Sequence, residues 1–178
     1  CIHRRENTED ETRFRKLFEM TEILAEKLDF PVLLILLPGT KNAIKNFNLE
    51  KRLELLKQHP NAIVSDVWPK YSDVIAAMKK CVLCATDSGS MQEEMNLLQI
   101  PCATLRFGSD RPETFYAKSN ILCPIIKPEQ MANILMEALK HKNNFEFPKI
   151  YGENVSEKIV KHVQEFLEEG GELLRLNP

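Results

Sequence analysis

The chain has 178 residues, 43% of them apolar and 28% charged, with a formal net charge of −2. This is enough for one large domain with a buried core and is ordinary for a globular protein. It excludes a molecule-wide field that would recruit nucleic acid or an anionic membrane, and the longest apolar run, residues 32–37, is far too short to span a bilayer.

Along the chain the apolar period switches between helix-like and strand-like. Residues 9–28 put Phe14, Leu17, Phe18, Ile23, Leu24 and Leu28 on one helical face. Pro31 then opens a continuous apolar run at 32–37, the pattern of a parallel strand buried on both sides. A helix is predicted at 49–58, a strand at 62–67, a helix at 71–80 and a strand at 81–85. Next come a helix at 90–98, a strand at 102–105, a helix start at 112–118, a short strand at 121–123 and a helix at 128–139. A polar and aromatic connector, 141–152, leads to an amphipathic helix at 155–167, and 168–178 show no period. The alternation predicts an α/β fold over 1–167, a Rossmann-like, mostly parallel sheet flanked by helices, with 168–178 as a tail. Right-handed crossovers place strand-to-helix loops on one edge, so the loops at 3–7, 38–42, 86–90 and 106–113 are expected to share a face.

Five cysteines occur, at 1, 81, 84, 102 and 123. Their odd count, without a secretory signal, predicts reduced core thiols in a cytoplasmic protein. Cys81-x-x-Cys84 has the spacing of a redox or zinc pair, but it falls in an apolar strand with no second pair or spaced histidines, so a core role is expected. No metal and no cofactor are expected. The chain opens Cys1-Ile2-His3, and Cys1-Ile2 reads like the end of a strand that begins upstream, so a piece of a longer protein is expected.

Three clusters could carry chemistry. In Thr86-Asp87-Ser88-Gly89-Ser90-Met91-Gln92-Glu93-Glu94, Ser88 is a good helix N-cap and Gly89 admits a ligand close to the backbone. The amides of Gly89, Ser90 and Met91 are first-turn donors at the positive end of a helix dipole, where phosphate binds naturally. Glu94, one and a half turns in, can accept from a ribose diol. The plain alternative is a capped helix with two glutamates. The second cluster, His3-Arg4-Arg5-Glu6-Asn7, is either a compact phosphate site or a solvated charged loop. The third, Arg106-Phe107-Gly108-Ser109-Asp110-Arg111-Pro112-Glu113, suits phosphate too, unless Asp110, Arg111 and Glu113 simply pair with one another.

Together the clusters resemble one family. His3-Arg4-Arg5-Glu6-Asn7 is similar to the His-Arg-x-Glu-Asn motif of the non-hydrolysing UDP-N-acetylglucosamine 2-epimerases. Asp87-Ser88-Gly89-Ser90-Met91-Gln92-Glu93-Glu94 resembles their Asp-Ser-Gly-Gly-x-Gln-Glu-Glu, and Ser109-Asp110-Arg111-Pro112-Glu113 their Thr-Glu-Arg-Pro-Glu. Tyr151-Gly152-Glu153 looks like their Tyr-Gly-Asp-Gly. The resemblance implies the C-terminal, UDP-binding domain of a GT-B architecture. It also implies a reaction in which UDP is eliminated to leave 2-acetamidoglucal and is added back with C2 inverted. The carboxylates that move the C2 proton belong to the N-terminal domain, so this chain alone is expected to be inactive. By carry-over, His3 contacts the diphosphate and assists UDP departure. Arg4, Ser88, Gly89 and Ser90 sit at the phosphates, Glu94 on the ribose hydroxyls, and Arg111 in the same UDP site. The implied partners are a UDP-sugar and the N-terminal domain of the same protein. A homodimer of the full-length protein is consistent with the resemblance.

Three departures stand out. Ser90 replaces the motif's second glycine. Tyr71-Ser72-Asp73-Val74 aligns with Tyr-Leu-Asp-Phe, so an aromatic near the uracil is lost at Val74. Thr40 in Pro38-Gly39-Thr40-Lys41-Asn42 stands where many members carry a histidine of a second, activating substrate site. Thr40 leaves open a relative acting on a diacetamido-uronic acid or sialic acid precursor, and the three changes together a non-catalytic nucleotide-sugar binder. A GT-B glycosyltransferase, which also holds a nucleotide on its C-terminal domain, is a further alternative that the His3-Arg4-Arg5-Glu6-Asn7 motif counts against.

Overall fold

The computed structural model describes residues 1–168, and the chain divides into one unit, Cys1–Pro148, and a second that starts at Lys149. In the first unit α1 (Arg5–Thr8) and α2 (Glu11–Lys27) precede β1 (Val32–Leu36), α3 (Pro38–Asn46), α4 (Glu50–Gln58) and β2 (Ala62–Asp66). Then come α5 (Tyr71–Met78), β3 (Cys84–Thr86), α6 (Gly89–Leu98), β4 (Cys102–Thr104), α7 (Pro112–Tyr116), β5 (Asn120–Leu122) and α8 (Pro128–Lys140). The second unit contains α9 (Val155–Glu168). The predicted tail at 168–178 lies, apart from Glu168, outside the described residues.

Every strand pair is parallel, but the pairing forms two sheets, β2-β1 and β3-β4-β5. Cys1 takes the free edge of β3: its amino group donates to the Ala85 carbonyl at 2.9 Å and its carbonyl accepts from the Asp87 amide at 3.4 Å. That alternation is the parallel pattern. Ile2 is buried in the core beside it. Two sheets thus appear where one mostly parallel sheet was expected.

The core follows from the apolar periods. Asp10 caps α2, accepting from the Arg13 amide at 2.9 Å, and the helix buries Phe14, Leu17, Phe18 and Leu24 along one stripe. These meet Leu34 and Leu36 of β1, Leu53 and Leu56 of α4, and Met131 and Leu135 of α8. Each such side chain contributes about 1.5–3 kcal/mol by leaving water. A smaller cluster of Met78, Cys84, Met95, Ile100 and Cys102 fastens α5 and α6 to β3 and β4.

Two predicted loops are helical. Residues 38–42 open α3, because Pro38 suits a first helical turn and buried Thr40 donates its hydroxyl to the Ile2 carbonyl. Arg5–Thr8 coil into α1, whose start is held from outside, as shown below. Strand β3 is also shorter than predicted, since pairing with β4 begins only at Cys84, whose amide donates to the Pro101 carbonyl at 2.9 Å. Cys81 therefore lies in the turn after α5, where its thiol donates to the Ala77 carbonyl at 3.4 Å. All five thiols are free, and burial pushes that of Cys123 up to about 12.

Candidate functional site

Asp87, between β3 and α6, is fully buried. A buried carboxylate stays ionised only when it is saturated with donors. Its donors come from the far end of the sequence. The His3 amide reaches both oxygens at 3.0 and 3.1 Å, the Arg4 amide donates at 3.0 Å, and Asn7 Nδ2 at 2.9 Å. Asn7, itself buried, gives its other amide hydrogen to the Leu105 carbonyl at 3.1 Å. His3 Nδ1 stands 3.2 Å from Asp87 Oδ1, which leaves Nε2 on the far side of a ring whose side chain is 39% exposed. The hub thus fixes both the backbone and the imidazole orientation of His3.

The hub leads directly into the start of α6. Ser88 caps it, its Oγ accepting from the Met91 amide at 3.4 Å and lying 3.2 Å from Ser90 Oγ. The Gly89 and Ser90 amides donate to no acceptor among the described residues. Together with the helix dipole they make this end attractive to an anion. Arg4 spans hub and helix: Nε donates to the Asp87 carbonyl at 3.2 Å, and Nη2 pairs with Asp110 Oδ2 at 2.6 Å. A β-carbon on residue 89 would lie 3.2–3.3 Å from the Asp110 oxygens and from Arg4 Nη2. Glycine supplies that room.

Around this centre runs an ion-paired rim. Arg106 bonds Glu6 at 2.6 Å and Asp110 Oδ1 at 3.2 Å. Partial burial raises the Asp110 carboxyl, but Arg4, its own backbone and Arg106 outweigh that and hold it below the usual carboxylate range. Arg111 pairs with Glu93. Glu94 accepts from the Tyr71 hydroxyl at 2.8 Å, a bond that pushes the phenol above its ordinary value and keeps it a donor. Beneath the rim, buried Gln92 joins the pieces. It donates to the Ser88 carbonyl at 3.1 Å and accepts from Ser109 Oγ at 2.6 Å and Asn120 Nδ2 at 3.0 Å. A separate apolar cavity of about 670 Å³, lined in part by Phe115, Ile121, Ile134 and Phe145, shares Asn120 with the Gln92 network and none of the predicted site residues.

With that geometry in place, residues 1–164 match the family described as UDP-N-acetylglucosamine 2-epimerase. The chain belongs to the UDP-N-acetylglucosamine 2-epimerase family. It is 32% identical over 162 residues to a UDP-N-acetylglucosamine 2-epimerase of Methanococcus maripaludis, covering 91% of this chain and 42% of that protein. Against the Methanocaldococcus jannaschii enzyme it is 33% identical over 161 residues, covering 90% and 42%. The crystal structure of the latter in complex with UDP-GlcNAc and UDP is similar with a TM-score of 0.78 and 31% identity, over 92% of this chain and 44% of that one. The Neisseria meningitidis 2-epimerase bound to UDP-GlcNAc shares the fold, with a TM-score of 0.76 at 23% identity over 92% and 43% of the two chains. The chain therefore spans less than half the length of these relatives.

In this chain the predicted site residues fall into two groups. His3, Arg4, Ser88, Gly89 and Ser90 come together at the start of α6. Arg111 and Glu94 stand apart, engaged with Glu93 and Tyr71, and neither bonds to the first group among the described residues. All four predicted strand-to-helix segments meet here, including 38–42, since Gly39 lies against the His3 carbonyl. Composition and period missed Asp87, Asn7, Gln92 and Asp110 as organisers. Their signal was present in the quoted motifs: an aspartate ahead of an N-cap serine has no local donors, so its partners must come from elsewhere. Among the described residues, no cluster of three or more His, Cys, Asp or Glu is placed to hold a metal, and no helix is long and apolar enough to cross a membrane.

Proposed function

We propose that this chain is the UDP-binding, C-terminal half of an enzyme that interconverts UDP-N-acetylglucosamine and UDP-N-acetylmannosamine by elimination and re-addition of UDP. The observation that carries the reading is the convergence of His3 and Arg4 on Asp87 at the start of α6. Two free helix amides, a guanidinium and an oriented imidazole are gathered around Asp87, and together they make the donor set a diphosphate requires. His3, held by Asp87, presents Nε2 to the leaving diphosphate and steadies its developing charge. Arg4 and the Gly89 and Ser90 amides bind the phosphates. Glu94 takes the ribose hydroxyls, and Arg111 closes the far side. Proton transfer at C2 falls to a companion N-terminal domain of the same protein. We place the enzyme in the cytoplasm, in keeping with five free thiols, in the supply of surface polysaccharide precursors, and as a homodimer at full length.

Titration calorimetry of UDP into the chain tests the binding claim, and a folded chain that gives no heat at millimolar UDP refutes it. In the full-length protein, deuterium from D2O must enter C2 of UDP-N-acetylglucosamine. Product formed with that position still protonated rules out elimination. One feature favours a second substrate reading: Thr40 is buried and bonded to the Ile2 carbonyl, so it cannot replace an exposed histidine of an activating site. An epimerase for a related acetamido sugar fits that change and is separated from the first reading by product analysis.

A further inference from the structure

The carboxylate of Asp110 stands beside the start of α6 and on the guanidinium of Arg4. It bonds Arg4 at 2.6 Å and Arg106 at 3.2 Å, and both its oxygens come against the first residue of α6. We propose that Asp110 is an internal stand-in for the ligand phosphate, competing with it for Arg4 beside the start of α6, and so setting how much charge a ligand must bring to bind. The inference rests on the UDP reading of the site.

The chemistry of the exchange is direct. A carboxylate carries one charge and two acceptor oxygens, whereas a diphosphate offers more of both to the same donors. A diphosphate therefore displaces Asp110, while neutral or weakly anionic molecules leave it in place. The Asp110 side chain is 39% exposed and projects from the segment between β4 and α7, so it can swing aside without disturbing the core. Elsewhere in the site the same logic holds, since the Tyr71 hydroxyl sits on Glu94 as a ribose hydroxyl would. Asp87 is the contrast: fully buried and saturated, it positions residues and does not compete.

The test uses the chain itself with three probes: UDP, inorganic pyrophosphate and uridine. Asp110→Asn and Asp110→Ala are both made, the alanine variant removing any new bond from the Asn amide. Calorimetry should show both variants binding UDP and pyrophosphate on the order of tenfold tighter than the unaltered chain. Uridine, followed by NMR shifts, should bind unchanged. In an Arg4→Ala background the gain should vanish. Unaltered or weaker UDP affinity in both variants overturns the stand-in role, and so does an equal gain for uridine. Those outcomes leave the UDP reading standing if the unaltered chain binds UDP. A folded chain that binds UDP in no version sinks both.

Discussion

Two sets of charges only a few ångströms apart behave differently in this domain. The Asp87 hub is fully buried and its donors are mostly amides fixed by the backbone. On the rim, Arg4, Glu6, Asp110, Glu93 and Arg111 have side chains between 34% and 40% exposed, and their ion-pair partners are other side chains. Burial makes the first set costly to disturb, because each lost partner leaves a desolvated polar group. Solvent makes the second set exchangeable. A site that must be shaped in advance yet still release a diphosphate needs both kinds, and here they are stacked.

The sharpest way to break this contrast is to remove the hub. Asp87→Ala strands the His3 and Arg4 amides and the Asn7 side chain, and urea unfolding should lose about 3–5 kcal/mol. Glu6→Ala on the rim, which removes one partner of Arg106, should change stability by under about 1 kcal/mol. Equal losses from the two variants would erase the distinction.

A smaller effect is expected at Gln92, the buried link between α6 and the rim. Gln92→Leu takes one of two donors from the Ser88 carbonyl, which keeps the backbone amide of residue 92, and leaves the Ser109 hydroxyl hydrogen without its acceptor, while Asn120 still reaches Thr104 and Thr114. Stability should drop by about 1–3 kcal/mol. UDP affinity should fall as well, because Ser109 Oγ, which holds the Arg111 amide at 2.9 Å, loses its anchor. A loss of stability with no loss of affinity would show that Gln92 supports the fold alone.

Much of this was legible beforehand, for physical reasons. Alternating apolar periods report burial directly, so the α/β class and most elements could be read from them. The Ser88 cap is a local signal and is found where expected. Hidden were features set by distant partners. Residues 3–7 look like a charged loop until Asp87, 84 positions away, gathers their amides, after which Arg5–Thr8 can coil. Residues 38–42 were expected as a strand-to-helix loop, yet Pro38 sits at a helix start and Thr40 anchors to Ile2. Pairing among Asp110, Arg111 and Glu113 was the alternative reading of that segment. Arg111 does bond the Asp110 carbonyl at 2.8 Å, but the Asp110 carboxylate reaches across to Arg4 and Arg111 pairs with Glu93, partners that proximity in sequence does not show.

Between hub and rim lies Gly89, where the two properties should separate. Gly89→Ala places a methyl 3.2–3.3 Å from the Asp110 oxygens and Arg4 Nη2. These are the ends of flexible, partly exposed side chains, so they can shift by a few tenths of an ångström. Alanine also relieves backbone entropy at a helical position. Stability should therefore hold or rise by up to about 1 kcal/mol. UDP affinity should fall by about tenfold, or 1.4 kcal/mol, because the methyl takes the room next to the free amides. Unchanged affinity would mean that the phosphate does not approach the start of α6.

The weakest expected effect is the acid response of the rim. Asp110 is held below its ordinary value of 3.8, since Arg4, its own backbone and Arg106 outweigh the effect of burial. A depressed carboxyl favours the folded state at any pH above its unfolded value, and that contribution is lost as pH falls through the folded value. The gap in unfolding free energy between the unaltered chain and Asp110→Asn should therefore be under about 1 kcal/mol at neutral pH, and should close only below 3.8. Comparing the two removes the other titrating carboxylates from the result, including Glu6, which faces the same Arg106. A gap that persists at the lowest accessible pH would show that the carboxylate acts through packing and not through charge. Because Asp110 is fully ionised between about pH 6 and pH 8, mild acid cannot release Arg4. The affinity advantage of Asp110→Asn for UDP should then stay constant wherever the terminal phosphate of UDP is fully ionised, and shrink as that phosphate, with a second pKa of about 6, takes up a proton, so that only the ligand's own charge exchanges the rim while the hub remains closed.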